Sequence, residues 1–137
     1  MEPVSSAISD NSKVLEEKSP IVSIITVDYN QPGVTCELLQ SLKELSYPEL
    51  EVIVVDNGSN KRSDSLIKDA YPSAKVIRSE QNLGFAGGNN LGIKAAQGEY
   101  LFFVNNDTEL TDNVIETLIE TFKDHENIGV VSPKIYY

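Results

Sequence analysis

Residues 21–42 read IVSIITVDYNQPGVTCELLQSL, and this stretch holds a strand and the helix that follows it. Its first part, IVSIITV, is a continuous apolar run, which is typical of a strand covered on both faces. In its second part, and on to Leu45, the apolar residues fall on one side of a helix; they are Val34, Leu38, Leu39, Leu42 and Leu45. The stretch therefore predicts one strand–helix unit of a parallel sheet.

The same alternation continues to the end of the chain. Further strands are predicted at EVIVV, KVIR, EYLFFV and IGVVS, residues 51–55, 75–78, 99–104 and 128–132. Between them, one short helix stops before Pro72, a second follows a Gly/Asn-rich loop at 79–90 and stops at Gly98, and a third is capped by Asp112. The predicted fold is an α/β domain over residues 21–137, an open and mostly parallel sheet with helices on both faces. Residues 1–20, rich in Ser and charge, are predicted to be a flexible tail or linker.

The composition of the chain limits the classes of partner that it is expected to bind. The chain has 137 residues, 40% of them hydrophobic, with 11 basic and 21 acidic residues and a net charge of -10. It has no basic cluster for a phosphate backbone, so nucleic acid is not an expected partner. A diphosphate ligand would need a divalent cation to offset this acidity. No apolar run suggests a secretion signal or a transmembrane segment, which predicts a cytoplasmic location, with any membrane contact peripheral at the inner face.

Polar residues follow most of the predicted strands at their carboxyl ends, where ligands bind in open α/β sheets. These segments are Asp28–Asn30, Asp56–Asn60, Ser79–Gly84 and Asn105–Asp107. One Asp after a buried strand most often caps a turn, but three of them favour a site. Asp107 and the Asn105 carbonyl offer two hard oxygen ligands suited to Mg²⁺ or Mn²⁺ bridging a diphosphate. Phosphates and waters would complete the octahedron.

Three strings occur in order along the chain: VSIITVDYN, EVIVVDNGSN and NLGFAGGNNLGIKAAQGEYLFFVNNDTEL. Together they resemble family 2 glycosyltransferases, in particular the branch that includes rhamnosyltransferase-like enzymes of polysaccharide synthesis. The resemblance implies the nucleotide-sugar-binding part of a Rossmann-like GT-A domain, truncated at its C-terminal side. It also implies metal-assisted transfer of a sugar, with inversion, from a nucleoside diphosphate sugar to an acceptor hydroxyl.

The resemblance also assigns roles to residues. Base and ribose would be contacted by Val27, Asp28, Tyr29, Asn30, Asp56 and Asn57, and Asn82, Gly84 and Asn90 would lie along the nucleotide and donor sugar. Asn105 and Asp107 stand at the family's metal motif. Two positions depart from the family: Asp28 stands where Thr is common, and Asn105 replaces the first acid of the motif. No catalytic residue is predicted here, because the general base is expected beyond Tyr137, in the missing half that would hold a saccharide or lipid-linked acceptor.

Two alternatives stay open at this point. One is a binding fragment that holds a nucleotide sugar without catalysis, which fold analogy cannot exclude. The other, less favoured, is a sugar-phosphate nucleotidyltransferase. That class needs a Gly-rich basic loop after the first strand, and residues 28–33 read DYNQPG.

Overall fold

The structure, a computed structural model, describes residues 17–136. Strands and helices alternate in the order β1 (Val22–Asp28), α1 (Pro32–Lys43), β2 (Leu50–Asp56), α2 (Asp64–Ala70), β3 (Lys75–Arg78), α3 (Gly84–Ala95), β4 (Tyr100–Phe103) and α4 (Val114–Asp124). Residues 17–21 belong to no helix or strand, and the rest of the predicted N-terminal tail, residues 1–16, lies outside the described residues.

The four strands form one parallel sheet in the order β3-β2-β1-β4. The apolar runs of β1 and β2 occupy the two central positions, where both faces of a sheet are covered. The register places Asp28 beside Asp56, and Asp56 beside Arg78. The ends of three neighbouring strands are therefore charged and adjacent.

Helices cover both faces of this sheet. On one face, Ile24 and Val54 pack with apolar residues of three helices, which include Leu38 of α1, Ile67 of α2 and Ile115 of α4. On the other face, Ile25, Ile53 and Val55 pack with residues of α3, which include Leu91 and Ala95. The predicted α/β fold is confirmed.

The predicted fifth strand is wrong. Residues 128–132 form no strand, and Val130 is 87% exposed. The β-branched residues of IGVVS favour an extended chain, but a strand also needs a ladder of hydrogen bonds with a neighbour. This segment instead borders an apolar groove of about 600 Å³ between β4 and α4.

The Gly/Asn-rich loop is shorter than predicted, because α3 already begins at Gly84. Gly88 and Gly92 lie on the side of α3 that faces the sheet. A Cβ at Gly88 would be 2.9 Å from Val27 Cγ1, and one at Gly92 would be 2.4 Å from Ile25 Cγ2. These glycines therefore permit close approach of helix and sheet rather than marking a loop.

Two predicted helix boundaries are also wrong. Helix α3 ends at Ala95, and Gly98 lies beyond it against the backbone of Ser23, where a Cβ would be 2.6 Å from the nitrogen. Asp112 is not the cap of α4. Its Oδ1 accepts hydrogen bonds from the backbone N–H of Ser46 at 3.1 Å and from the hydroxyl of Ser46 at 2.8 Å. These bonds, the backbone one first, lower the pKa of Asp112.

Candidate functional site

Asp56 and Arg78 form a charge pair at the carboxyl ends of β2 and β3. Asp56 is fully buried, and one of its carboxylate oxygens pairs with the Arg78 guanidinium. Its other oxygen accepts the backbone N–H of Ser59 at 2.9 Å, while Arg78 donates to the Ser59 carbonyl at 2.7 Å. A buried carboxylate is tolerated when it is paired and hydrogen-bonded in this way. The pair therefore fixes the loop after β2.

Asp28, at the end of β1, is also fully buried. Its Oδ1 accepts a hydrogen bond from the Thr35 hydroxyl at 2.7 Å, and its Oδ2 lies 3.4 Å from the Ser59 hydroxyl. That hydroxyl accepts the N–H of Asn30 at 2.8 Å, and Asn30 Oδ1 accepts the N–H of Asn60 at 2.8 Å. Asp28 and Asn30 thus join the loops after β1 and β2 to each other.

Asn57 connects the loop after β2 to the turn before α3. Its side chain is nearly fully buried and donates to Asn82 Oδ1 at 3.1 Å and to the Gly84 carbonyl at 3.0 Å. It also accepts the Leu83 N–H at 3.0 Å. The amide of Asn57 therefore orders the turn that contains Asn82 and Gly84, two residues that are predicted to contact the nucleotide sugar.

The remaining residues that are predicted to contact the nucleotide sugar differ in their exposure to solvent. Tyr29, Asn82, Gly84 and Asn90 are exposed, and Val27 is half-buried. Gly84 has φ +73°, a conformation that glycine adopts without strain, so turn geometry accounts for this glycine. These exposed residues are accessible to a ligand, although Asn82 Oδ1 and the Gly84 carbonyl already accept hydrogen bonds from Asn57. Asp28, Asp56 and Asn57 are engaged inside the protein.

The segment after β4 carries the predicted metal ligands. Asn105 and Asp107 are exposed, and Asn106 between them is half-buried and donates to the Thr35 hydroxyl at 3.2 Å. Within residues 17–136, no three His, Cys, Asp or Glu side chains are grouped to hold a metal ion. The oxygen donors of Asn105 and Asp107 fit a hard cation that takes most of its ligands from phosphate and water, and they do not fit a cage of protein ligands alone.

Sequence reasoning missed four residues that shape this edge, namely Thr35, Gly58, Ser59 and Arg78. Gly58 has φ +82°, and a Cβ there would be 2.5 Å from the backbone carbon of Gln81. Gly58 and Ser59 lie in the segment that was singled out, and Arg78 is the last residue of a predicted strand. Thr35 had no signal, because its partner Asp28 is seven residues away on another element.

The sequence model of glycosyl transferase family 2 matches residues 23–137. The chain belongs to glycosyltransferase family 2. One relative, poly-beta-1,6-N-acetyl-D-glucosamine synthase of Staphylococcus epidermidis, is 32% identical over 113 residues, which cover 81% of this chain and 27% of that protein. Sugar transfer is the chemistry that the family and these relatives of the chain have in common.

Solved structures share the fold. S. aureus TarS 1-349 in complex with UDP-GlcNAc has a TM-score of 0.68 at 28% identity, covering 82% of this chain and 37% of that chain. The mannosyltransferase PcManGT from Pyrobaculum calidifontis, in complex with GDP-Man and Mn²⁺, has a TM-score of 0.62 at 26% identity, covering 67% and 29%. The chain thus spans between 27% and 37% of the length of these relatives. None of the helices within residues 17–136 has the length and apolar character of a membrane span.

Proposed function

We propose that the carboxyl edge of this sheet binds the nucleoside diphosphate sugar donor of a glycosyltransferase. The observation that carries the proposal is the hydrogen-bonded network of buried polar residues under this edge. It joins the loops after β1 and β2 to the turn before α3, and exposed Tyr29, Asn82 and Asp107 follow three of the strands there. Ligands of open α/β sheets bind beyond such strand ends. The complexes of two solved relatives with UDP-GlcNAc and GDP-Man support the choice of ligand.

The proposed roles divide between exposed and buried residues. Tyr29 would lie against the base, and Asn82 and Gly84 would line the nucleotide and sugar, with Asn90 further along α3. Asp56 and Asn57 would act first by holding the loops, because both are buried and bonded internally. Their predicted direct contacts with the nucleotide, and those of Val27, Asp28 and Asn30, stay predictions, as does the rhamnosyltransferase-like branch.

Asp107 and Asn105 would hold Mg²⁺ or Mn²⁺ together with the diphosphate. The Mn²⁺ in the solved PcManGT complex supports this role. A divalent cation there would stabilise the charge that develops on the departing diphosphate. The exposure of both side chains leaves them accessible to a cation. The cation would offset the repulsion between the diphosphate and a chain of net charge -10.

Calorimetry of nucleotide binding tests the metal role. UDP-, GDP-, dTDP- and CMP-sugars are titrated with and without Mn²⁺, and the tightest binder is then tested on Asp107→Ala. We expect Mn²⁺ to tighten binding to the unsubstituted chain and to have no effect on Asp107→Ala. Asp124→Ala, which removes an exposed carboxylate at the end of α4, is the matched control and should keep the Mn²⁺ dependence. An Asp107→Ala chain with unchanged Mn²⁺ dependence would show that the metal role is wrong.

We further infer inverting transfer to an acceptor hydroxyl, with the general base outside residues 1–137. Asp28 and Asp56 are buried and bonded internally, and Glu120, Asp124 and Glu126 face solvent on or just after α4. A polypeptide of residues 1–137 should therefore bind donor without transferring sugar, because a positioned base contributes about 10²- to 10⁴-fold. Acceptor-dependent release of nucleoside diphosphate at about 1 per second would contradict this.

A further inference from the structure

Thr35 joins the strand-end network to the predicted metal segment. It lies in the first turns of α1, is fully buried, and its hydroxyl donates to Asp28 Oδ1 at 2.7 Å while accepting from Asn106 Nδ2 at 3.2 Å. The same hydroxyl lies 3.3 Å from the Gln31 carbonyl. A hydroxyl has one proton, and the shorter contact with a carboxylate is the stronger use of it. Asn106 therefore donates to Thr35 and Thr35 donates to Asp28, and we call this chain of two hydrogen bonds the relay.

Each member of this relay is chemically constrained. The Thr35 proton points to the Asp28 carboxylate, so only the oxygen lone pairs of Thr35 remain for a third group. That group must be a donor, and the amide nitrogen of Asn106 is one. An aspartate at position 106 would present only acceptors to a hydroxyl whose proton is already used. The chemistry of Thr35 thus selects an amide in the middle of the Asn105–Asp107 segment.

The relay is the side-chain anchor of a segment whose flanking residues are exposed. The backbone N–H of Val104 is held by the Ile25 carbonyl at 3.0 Å, and that of Thr108 by the Asn105 carbonyl at 3.2 Å. Between these points Asn105 and Asp107 face solvent. The contact of Asn106 with Thr35 therefore holds the middle of this segment against α1.

We propose that Thr35 is a positioning residue for the cation-binding segment of the donor site. Through Asp28, which also lies against Ser59, it couples the position of Asp107 to the loop after β2. The inference rests on the proposed function. Residues that orient metal ligands typically change metal affinity by about 10- to 100-fold when they are removed.

Three variants separate this role from packing. Thr35→Val keeps the shape of the side chain and removes the hydroxyl, and Thr35→Ser keeps a hydroxyl. Asn106→Ala removes the amide that donates to Thr35. Thr121→Val is the matched control, because the Thr121 hydroxyl donates to the Thr117 carbonyl of the same helix at 2.8 Å. The first measurement is the side-chain amide resonance of Asn106 in a nitrogen-proton NMR spectrum. The second is the affinity for UDP or GDP, whichever binds more tightly, with and without Mn²⁺.

We expect Thr35→Val to move the Asn106 amide resonance and to reduce the Mn²⁺-dependent gain in nucleotide affinity by about tenfold. The metal-free affinity should fall by less, because Asp28 Oδ1 loses its donor while the bonds of Asn30, Asp56 and Asn57 that hold these loops remain. Thr35→Ser and Thr121→Val should behave as the unsubstituted chain. Asn106→Ala should reproduce the loss, which keeps the test valid if Thr35→Val folds poorly.

Three contrary results are distinguishable. A Mn²⁺ gain that is normal in the unsubstituted chain and survives both Thr35→Val and Asn106→Ala would overturn this inference alone. No Mn²⁺ gain in the unsubstituted chain would contradict the proposed metal role and the inference together. Equal losses of metal-free and Mn²⁺-dependent affinity in Thr35→Val would show general loosening and would also overturn the positioning role.

Discussion

Asp56 carries its charge under the loop after β2 without contact with solvent, and Arg78 is the cation that pairs with it. The Arg78 side chain is 28% exposed, so solvent screens one side of the pair only. Such a pair contributes little when compared with an apolar replacement of both residues. Removal of the cation alone, however, leaves a buried charge without compensation.

Arg78→Met should therefore lower the free energy of unfolding by about 3 kcal/mol. This value is at the lower end of the cost of breaking a buried ion pair, because Arg78 is partly exposed. Urea denaturation measures the difference. Arg62→Met is the control, since Arg62 and Asp64 form an exposed pair at 3.3 Å that should contribute at most about 1 kcal/mol. Equal losses in the two variants would mean that the Asp56–Arg78 pair is no more important than a surface contact.

Helix α3 shows how far a helix can be predicted from its local sequence. The string GFAGG was assigned to a loop, because glycine is a poor helix former and is common in turns. In the structure only Gly84 has a positive φ among the glycines of this helix, and Gly88 and Gly92 lie against β1. A spacing of four residues places both on one side of a helix. Tertiary packing, which local propensity does not encode, decides the helix here.

Gly92→Ala tests this packing. A Cβ at this position would be 2.4 Å from Ile25 Cγ2 in the core, so overpacking should cost about 1–3 kcal/mol and exceed the gain in helix propensity. Gly33→Ala in α1 is the matched control, because a Cβ there meets nothing within 4 Å, and it should stabilise by up to about 1 kcal/mol. Urea denaturation should give opposite signs. Stabilisation by Gly92→Ala would contradict the close packing of α3 on β1.

At the amino edge of the sheet, Glu51 holds the elements together. Its carboxylate accepts hydrogen bonds from the Ser23 hydroxyl of β1 and from the Gln97 backbone before β4, and it pairs with Lys75 of β3. Burial raises the pKa of Glu51, but these bonds, that of the Gln97 backbone first, bring the pKa below its ordinary value of 4.5. A depressed carboxyl pKa contributes stability that is present above the unfolded pKa and is lost as pH falls through the folded value.

The free energy of unfolding should therefore fall on acidification below about pH 4.5, and the fall should be smaller in Glu51→Gln. Urea denaturation at several pH values between about 6 and about 3 measures both slopes. Glu120→Gln, which changes an exposed residue of α4, should keep the full acid dependence. The same slope in Glu51→Gln as in the unsubstituted chain would exclude Glu51 as a source of acid sensitivity.

For the molecule as a whole, periodicity predicted the four strands, the helices and their layers, because these depend on local apolar patterns. It also placed the polar segments at one edge, because parallel strands bring their ends together. The prediction of a fifth strand was wrong, because IGVVS has residues that favour a strand but no hydrogen-bonded partner strand in the described part of the chain. The network of Asp28, Thr35 and Asn106 could not be predicted, because its partners meet only after folding.

The proposed binding of the donor nucleotide at the carboxyl edge of the sheet can be tested by mapping amide chemical shifts during a titration. The ligands are UDP-GlcNAc and GDP-mannose with Mg²⁺. We expect the largest shifts at Tyr29, Asn60, the 82–84 turn and Asp107, and we expect broadening around Asp107 when Mn²⁺ replaces Mg²⁺. Shifts centred on Gly98 at the amino edge or on the groove between β4 and α4, or no shifts with millimolar ligand, would contradict nucleotide binding at the carboxyl edge.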